Sequence, residues 1–495
     1  MNSSDERLVG RDRPIMAAPL TVGVCLLTSL ACRRSGCPLG RIVRPTFQQT
    51  ARLRCGWHIV VHGSTLSIHT RTTHLANIGK KSVLALLINV GGATLAFATQ
   101  ILVARLTDAA TYGLYVYTLS WVAIVGLVAV MGLDSLTIRV VGESDDRQSI
   151  KPYLHWAGWR LVLQIVCASV VALLVLQFGW VAEPMAGVLQ AGVLLLAGTS
   201  ALVVAQAAVQ GHNVAHARWP NQLLRPIILA AIVVGLVVLK PQWITARGLV
   251  VASSVSVVIA LLVVLVWLRR LVGADRPVAS GGAHNQRKQQ WSKSLWAMTF
   301  VASTSLLLSQ TDIVLLGLFR SQDEVGVYGA AARIANLAGF GLVAVNLIVM
   351  PLLAQFYAQE DRSGIQSTLH ASARLAVGFV LVIGSLLAWQ APWVLGLFGS
   401  EFVTGVDMLR ILLVGQVVNA FAASSGSLMV MTGHERQAAN VLAAVVVLNA
   451  IVSLVLIPLY GGVGAAAATA FSIALWSVLG LVFVHRRLRY RASIL

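Results

Sequence analysis

Two residues of opposite charge stand inside runs that are otherwise apolar. Asp312 interrupts LLLSQTDIVLLGLF and Arg333 interrupts VYGAAARIANLAG. An ionisable group within a hydrocarbon environment is costly, so each one is a functional hypothesis that needs a named partner. Both lie about seven residues from the connection between their runs, which at 1.5 Å rise per residue puts them at similar depth, roughly 10 Å from that end. One reading is a buried ion pair that fixes the register of the two segments. The other divides the labour. The planar, permanently charged guanidinium of Arg333 matches phosphate oxygens bidentately, and the Asp312 carboxylate binds and releases a coupling cation, a proton or sodium. Ser305 and Ser309 precede Asp312 at i, i+4 and i+7 spacing, giving a polar stripe expected to face inward. Asn336 follows Arg333 by three residues.

A second polar stripe runs through Asn89, Gly92, Ala96 and Gln100, which share one helical face. It either lines a cavity opposite Asp312 or lets helices pack closely, as small residues do in membranes. Arg160, Arg225, Arg374 and Arg410 fall within or near apolar runs but close to their ends, where snorkelling to the interface is the default. Turned inward instead, they would make a cationic cavity for an anionic head group. His212, His216 and His434 read as turn residues. No GxSxG, P-loop, HExxH or paired catalytic carboxylate is present, so neither enzyme chemistry nor a cofactor is expected. The five cysteines, Cys25, Cys32, Cys37, Cys55 and Cys167, have no zinc or disulfide spacing.

The elements that position these residues are membrane spans. Of the 495 residues, 57% are hydrophobic and 11% charged, against roughly 25% charged in a soluble domain. The mean hydropathy of +0.80 requires many runs of about 20 apolar residues. Twelve are expected, near 83–105, 113–133, 155–178, 185–210, 220–239, 246–268, 294–319, 326–352, 371–390, 408–430, 437–460 and 463–484. The fold class is therefore all-α and integral to the membrane. A net charge of +19 does not indicate nucleic-acid binding here, because the basic residues sit between apolar runs.

Their distribution sets the orientation. One set of connections holds Lys80 and Lys81, Arg139, Arg147, Lys151, Arg218, six basic residues at 269–293, Arg362, Arg436 and the tail HRRLRYR. The other holds Asp108, Glu183, Asp323, Glu324, Glu401 and Asp407, with only Lys240, Arg247 and Arg320 in opposition. Basic loops stay in the cytoplasm, so both ends of the helical core are expected there, which an even span count satisfies.

An internal repeat divides the chain. Gly113 and Tyr115 match Gly326 and Tyr328 at an offset of 213; Gly211-His212 matches Gly433-His434 at 222; Arg269-Arg270-Leu271 matches Arg486-Arg487-Leu488 at 217. Three landmarks in order indicate duplication. Six spans per copy make the copies parallel, an arrangement suited to two bundles rocking about a central site. The expected organisation is an extension at 1–79, bundles at 80–268 and 294–485, a linker at 269–293 and a basic tail at 486–495.

Over roughly residues 80–488 the chain resembles bacterial polysaccharide and O-antigen repeat-unit flippases, the Wzx-like branch of the multidrug, oligosaccharidyl-lipid and polysaccharide exporter superfamily. The resemblance lies in ILVARLTDAATYGLYVYTLS, QTDIVLLGLFRSQDEVGVYGAAARIANLAG, LRILLVGQVVNAFAASSGSLMVMTGHERQAAN and LIPLYGGVGAAAATAFS. It implies a MATE-like two-bundle fold and the flipping of undecaprenyl-diphosphate-linked oligosaccharide across the bacterial inner membrane, with Arg333 on the diphosphate. Lipopolysaccharide or another surface glycan would be the destination, and a polysaccharide polymerase and chain-length regulator the implied partners beside membrane lipids. A cation-coupled drug exporter, a peptidoglycan-precursor flippase and a membrane glycosyltransferase are the rival readings; the last expects a sizeable extramembrane loop with acidic catalytic residues. Residues 1–79 do not share the resemblance. The run Met16–Cys32 has the length of a signal-peptide core, but cleavage would conflict with the topology, so a poorly ordered or non-native extension is expected.

Overall fold

A computed structural model describes residues 88–143, 147–177, 185–212, 217–272 and 283–490. The extension at 1–79, its four cysteines, Lys80, Lys81, Glu183 and His216 lie outside the described residues, as does 273–282 of the linker. All described residues fall within one compact unit, Arg71–Leu495.

Every regular element among the described residues is helical. In chain order these are α1 (88–105), α2 (Ala109–Val130), α3 (Leu133–Gly142), α4 (Arg147–Gln177), α5 (Met185–His212), α6 (Arg225–Leu239, entered through a π turn at Pro220–Leu224) and α7 (Ala246–Val272). The second half contains α8 (Ala283–Phe319), α9 (Gln322–Ala358), α10 (Arg362–Trp389), α11 (Ala391–Gly396), α12 (Val406–Phe421), α13 (Ser425–Met431) and α14 (Glu435–Phe483). Helices answer this composition because only they satisfy every backbone polar group within one segment in lipid.

Eight of the described helices are long and apolar enough to cross a membrane, and the bent pair Ser400–Phe421 and Ser425–Met431 makes a ninth. One of the eight holds two spans, because α14 breaks at Gly461. With α1 and the apolar stretch Leu306–Phe319 of α8, all twelve expected positions carry helix, and the protein is a multi-pass membrane protein. The exposed face of α4, with Trp159, Leu163 and Val171, is what a lipid-facing span presents.

Boundaries depart from expectation where polar residues are good helix formers. Gln, Arg and Lys in AHNQRKQQWSK extend α8 back to Ala283, and α7 runs on to Val272, so the linker expected at 269–293 is helical at both ends. At the other end of the spans α2 begins at Ala109, capped by Asp108, which accepts from the Thr111 N–H at 3.3 Å. Thr111 also holds the Asp108 carboxyl below the usual carboxylate range. The short helix α3 was not anticipated; positive φ at Met131 and Gly132 ends α2 and turns the chain into it.

The break in α14 is clamped. Gly461 adopts φ 59° and ψ −135°, the adjacent Gly462 N–H donates to Glu324 at 2.7 Å, and Arg320 donates to the free carbonyls of Ile457 and Pro458. Glu324 thus caps the start of the last span while Arg320 caps the end of the one before, as charges at helix ends should. The bend of 45° between α12 and α13 is held by Asn346, which donates to the Ala423 carbonyl at 3.1 Å and accepts from Ser424 and Ser427.

The halves meet mainly through α2, which packs on α8 and α9. At the end carrying Asp108, Glu324 and Glu401, called the acidic end below, Gly113 and Gly326 allow this contact: a Cβ on Gly113 would fall 1.8 Å from the Gln322 carbonyl oxygen.

Candidate functional site

A cavity of about 400 Å³ lies within the first half, walled by α2, α3, α5 and α6 and bordered by Thr299 and Leu306 of α8. Most of its lining is apolar, including Leu119, Val122, Leu127, Leu195, Val203 and Leu306, and Arg225 is its cation. Asp134, Thr199, Ser200 and Thr299 complete the polar set. The Ser200 hydroxyl is buried with no partner among the described residues, so it is free to receive one.

Local sequence puts Arg225 there. Pro220 and Pro226 bracket it, and without their N–H groups the chain enters α6 through a wide turn. The Thr99 hydroxyl reaches the Pro226 carbonyl at 3.3 Å, and Asn221 accepts from Arg225 at 3.5 Å. Snorkelling is therefore the wrong account of Arg225, though Arg374 and Arg410 are exposed. Arg160 lies against the Trp156 ring at 5.8 Å.

The α1 stripe divides between two ends. Asn89 accepts from Gln222 at 2.7 Å and Arg218 at 3.5 Å, and a Cβ on Gly92 would lie 2.7 Å from Gln222 Cβ. That stretch packs against the turn leading into α6. Gln100, nearer the acidic end, accepts from Tyr112 at 3.3 Å.

Asp312 is 2% exposed and sits inside the second half. Its oxygens accept from Ser453 at 3.3 Å, Tyr328 at 3.5 Å and Thr469. Asn449 lies one helical turn before Ser453; it donates to Ser472 at 3.0 Å, while its carbonyl oxygen is buried without a partner among the described residues. The expected ion pair with Arg333 is not formed, and no other ion pair to Asp312 occurs among the described residues. Ser309 does not join this cluster: it is exposed and donates back to the Leu306 carbonyl at 2.8 Å. The side chain of Ser305 lies outside the described residues. Asn449, Ser453 and Thr469 were missed because a hydroxyl or amide in an apolar run carries no sign of its long-range partner; the signal was the i, i+4 pair within VVVLNAIVSLVLIP.

Arg333 turns toward the acidic end. Its guanidinium donates to Tyr112 Oη at 3.0 Å and to the Gly329 carbonyl at 3.3 Å, and lies 5.5 Å from the Tyr112 ring centroid. Gln100, Tyr112 and Arg333 thus form a chain across three helices and both halves. Asn336 is exposed and belongs to neither cluster.

The repeat reappears as chemistry. Tyr115 shares a hydrogen bond with Ser253 at 3.0 Å, and its counterpart Tyr328 shares one with Thr469 at 2.9 Å. Each tyrosine joins a hydroxyl on the last helix of its own half. Beside Tyr115 lies the cation Arg225, within electrostatic range; beside Tyr328 lies the anion Asp312.

Comparison with known proteins agrees with this architecture. The profile of the family described as "Polysaccharide biosynthesis protein" matches residues 78–357, more than half the chain, and the MatE profile matches 297–455. Among curated proteins, the chain is 28% identical over 172 residues to a probable low-salt glycan biosynthesis flippase, Agl15, of Haloferax volcanii, and 26% identical over 181 residues to a probable flippase, AglR, of the same organism. These alignments take in 34% and 35% of this chain and 36% and 37% of the two relatives, so the chain spans little more than a third of their length. Among solved structures, the lipid II flippase MurJ in an inward closed conformation superposes with TM-score 0.66 at 11% identity, covering 81% of this chain and 87% of that one. An inward-facing multidrug resistance MATE transporter gives 0.57 at 16% identity, covering 82% and 98%. At these identities the structural likeness speaks for the fold.

Proposed function

The chain belongs to the polysaccharide biosynthesis protein family, and on that footing we propose that it flips an undecaprenyl-diphosphate-linked oligosaccharide across the bacterial inner membrane by alternating access, for surface or exopolysaccharide biosynthesis. The observation that carries this reading is the cavity of the first half, bordered by α8 of the second. Its apolar wall suits a polyprenyl chain and Arg225 suits a diphosphate, since hydrogen bonds to charged groups contribute about 1.5–3 kcal/mol each. In this reading the basic loops face the cytoplasm and the cavity takes substrate from the inner leaflet. Arg333, held by Tyr112 while the acidic end is shut, is freed to meet the diphosphate when that end opens. Gln100, which accepts from Tyr112, is the accompanying polar contact there, whereas Asn336 and Asn89 stand apart from it, Asn89 held by Gln222 and Arg218. A polysaccharide polymerase with its chain-length regulator then consumes the flipped unit.

Asp312 supplies the coupling. An ionised carboxylate that is buried without a cation is strongly disfavoured, so occupancy by a proton or sodium changes the energy of the second half. The Ser453 and Thr469 hydroxyls beside it, with the carboxylate itself, offer the oxygen donors a hard cation takes. Ser309 and Ser305 lie along the same helix on the approach to it.

The test is deletion of the gene in the source organism. Surface polysaccharide should be lost while lipid-linked units accumulate inside, and Arg225→Ala should fail to restore it although the protein reaches the membrane. Normal polysaccharide in the deletion strain sinks the reading. The MatE match over the second half favours one alternative, a cation-coupled drug exporter. That alternative expects unchanged glycans and greater sensitivity to cationic compounds on deletion. A peptidoglycan-precursor flippase would instead show lysis on depletion.

A further inference from the structure

We propose that the segment 397–405 is a latch that shuts the acidic end of the molecule, fastened by two reciprocal contacts in which a charged side chain of each half caps backbone of the other. Glu401, in the second half, accepts from the N–H of Ala109 at 2.9 Å. Ala109 is the first residue of α2 in the first half, and its N–H belongs to the set that a helix leaves unsatisfied at its positive end. Arg105, in the first half, donates through Nε to the Leu397 carbonyl at 2.6 Å, just past the end of α11.

Between these contacts the segment is an aromatic wedge. Phe398 and Phe402 are buried, at 0% and 1% exposure. Phe398 meets Phe97 edge-on at 5.7 Å and Phe402 meets Tyr112 at 5.6 Å, both across the boundary between the halves. Arg105 and Glu401 are exposed. That distribution is what a reversible closure needs. When the halves part, both charges pass into water without a desolvation penalty, and only aromatic area is newly exposed. Neither residue touches the cavity or the Asp312 cluster, so the latch is a separate device. It rests on the reading that the two halves separate at this end during transport.

The test measures that separation directly, without substrate. In the full-length chain with the five native cysteines replaced by serine, Gln242→Cys and Thr404→Cys place spin labels on exposed positions of the first and second half. Pulsed EPR distances are then recorded in lipid nanodiscs. The parent should be dominated by the short separation of the closed end. Arg105→Ala with Glu401→Ala should raise the ratio of long to short separation by roughly five- to tenfold, and Glu401→Gln, which keeps an acceptor oxygen, by less. A double variant with the parent's distribution overturns the proposal. Should the double variant not accumulate, Arg105→Gln and Glu401→Gln are measured singly, and unchanged distances in both overturn it equally. Failure of the latch leaves the glycan phenotype of gene deletion untouched, whereas normal glycan in the deletion strain would remove the transport reading and leave these distances standing.

Discussion

Gly113 and Gly326, the two glycines matched by the internal repeat, lie against each other where α2 crosses α9. A Cβ on Gly113 would come 2.8 Å from the Gly326 nitrogen, and a Cβ on Gly326 would come 3.1 Å from the Gly113 nitrogen and 2.3 Å from the Ala109 carbonyl oxygen. The obstacles are backbone atoms, which cannot rotate away. Gly113→Ala and Gly326→Ala should therefore push the halves apart at the acidic end and abolish transport in a complementation assay. Gly378→Ala, whose Cβ would meet nothing within 4 Å, is the matched control and should behave as wild type. Full activity in both helix-crossing variants would show that close approach is dispensable.

Asp312→Asn keeps the shape of the buried side chain and removes its charge, while its amide nitrogen replaces one of the two oxygens that accept from Ser453, Tyr328 and Thr469. Transport should slow by roughly tenfold or more and become insensitive to ionophores that collapse the proton or sodium gradient. A wild-type rate with unaltered ionophore sensitivity would take Asp312 out of the coupling step.

Arg333→Ala should abolish transport while the protein still reaches the membrane. Tyr112→Phe isolates one part of this, since it deletes the hydroxyl that accepts from Arg333 and keeps the ring beside it. Its effect should be roughly tenfold, because the hydroxyl's two hydrogen bonds, one accepted from Arg333 and one donated to Gln100, are lost while the existing bond from Arg333 to the Gly329 carbonyl remains. Equal loss in both variants would mean that the hydroxyl, not the guanidinium, is what transport needs.

Gly461→Ala should destabilise the protein by roughly 1–3 kcal/mol, because φ 59° with ψ −135° is open to glycine and strained for other residues. The added methyl would also fall 2.0 Å from the Glu324 carboxylate. Thermal unfolding in detergent reads this as a lowered Tm. A Tm equal to wild type would mean that the break relaxes without strain.

Much of the architecture was legible because lipid makes a simple demand. Runs of about 20 apolar residues announced the spans at their observed positions, and the three repeat landmarks marked where the halves correspond. The site was legible only in part. Asp312 and Arg333 stood out as charges, and equal depth suggested that they paired. Depth, however, says nothing of rotation about a helix axis. Asp312 turns into its own bundle, to Ser453 and Thr469 more than 140 residues away, and Arg333 turns to Tyr112. Arg225 was visible yet ambiguous, since proximity to a span end fits snorkelling as well as lining a cavity. What decided it was the wide turn between Pro220 and Pro226. The latch left no trace in hydropathy, because Glu401 and Arg105 look like ordinary loop charges until the chain brings them to backbone from the opposite half.

The clasp of Arg320 and Glu324 on the α14 break carries a kinetic corollary. It ties the turn joining α8 and α9 to the last two spans, and those same helices supply Asp312, Tyr328, Asn449, Ser453 and Thr469. In the proposed cycle the whole cage thus travels as one block when the lobes swing. Occupancy of Asp312 therefore biases the block as a whole rather than a single helix, which keeps exchange there linked to exposure of the cargo.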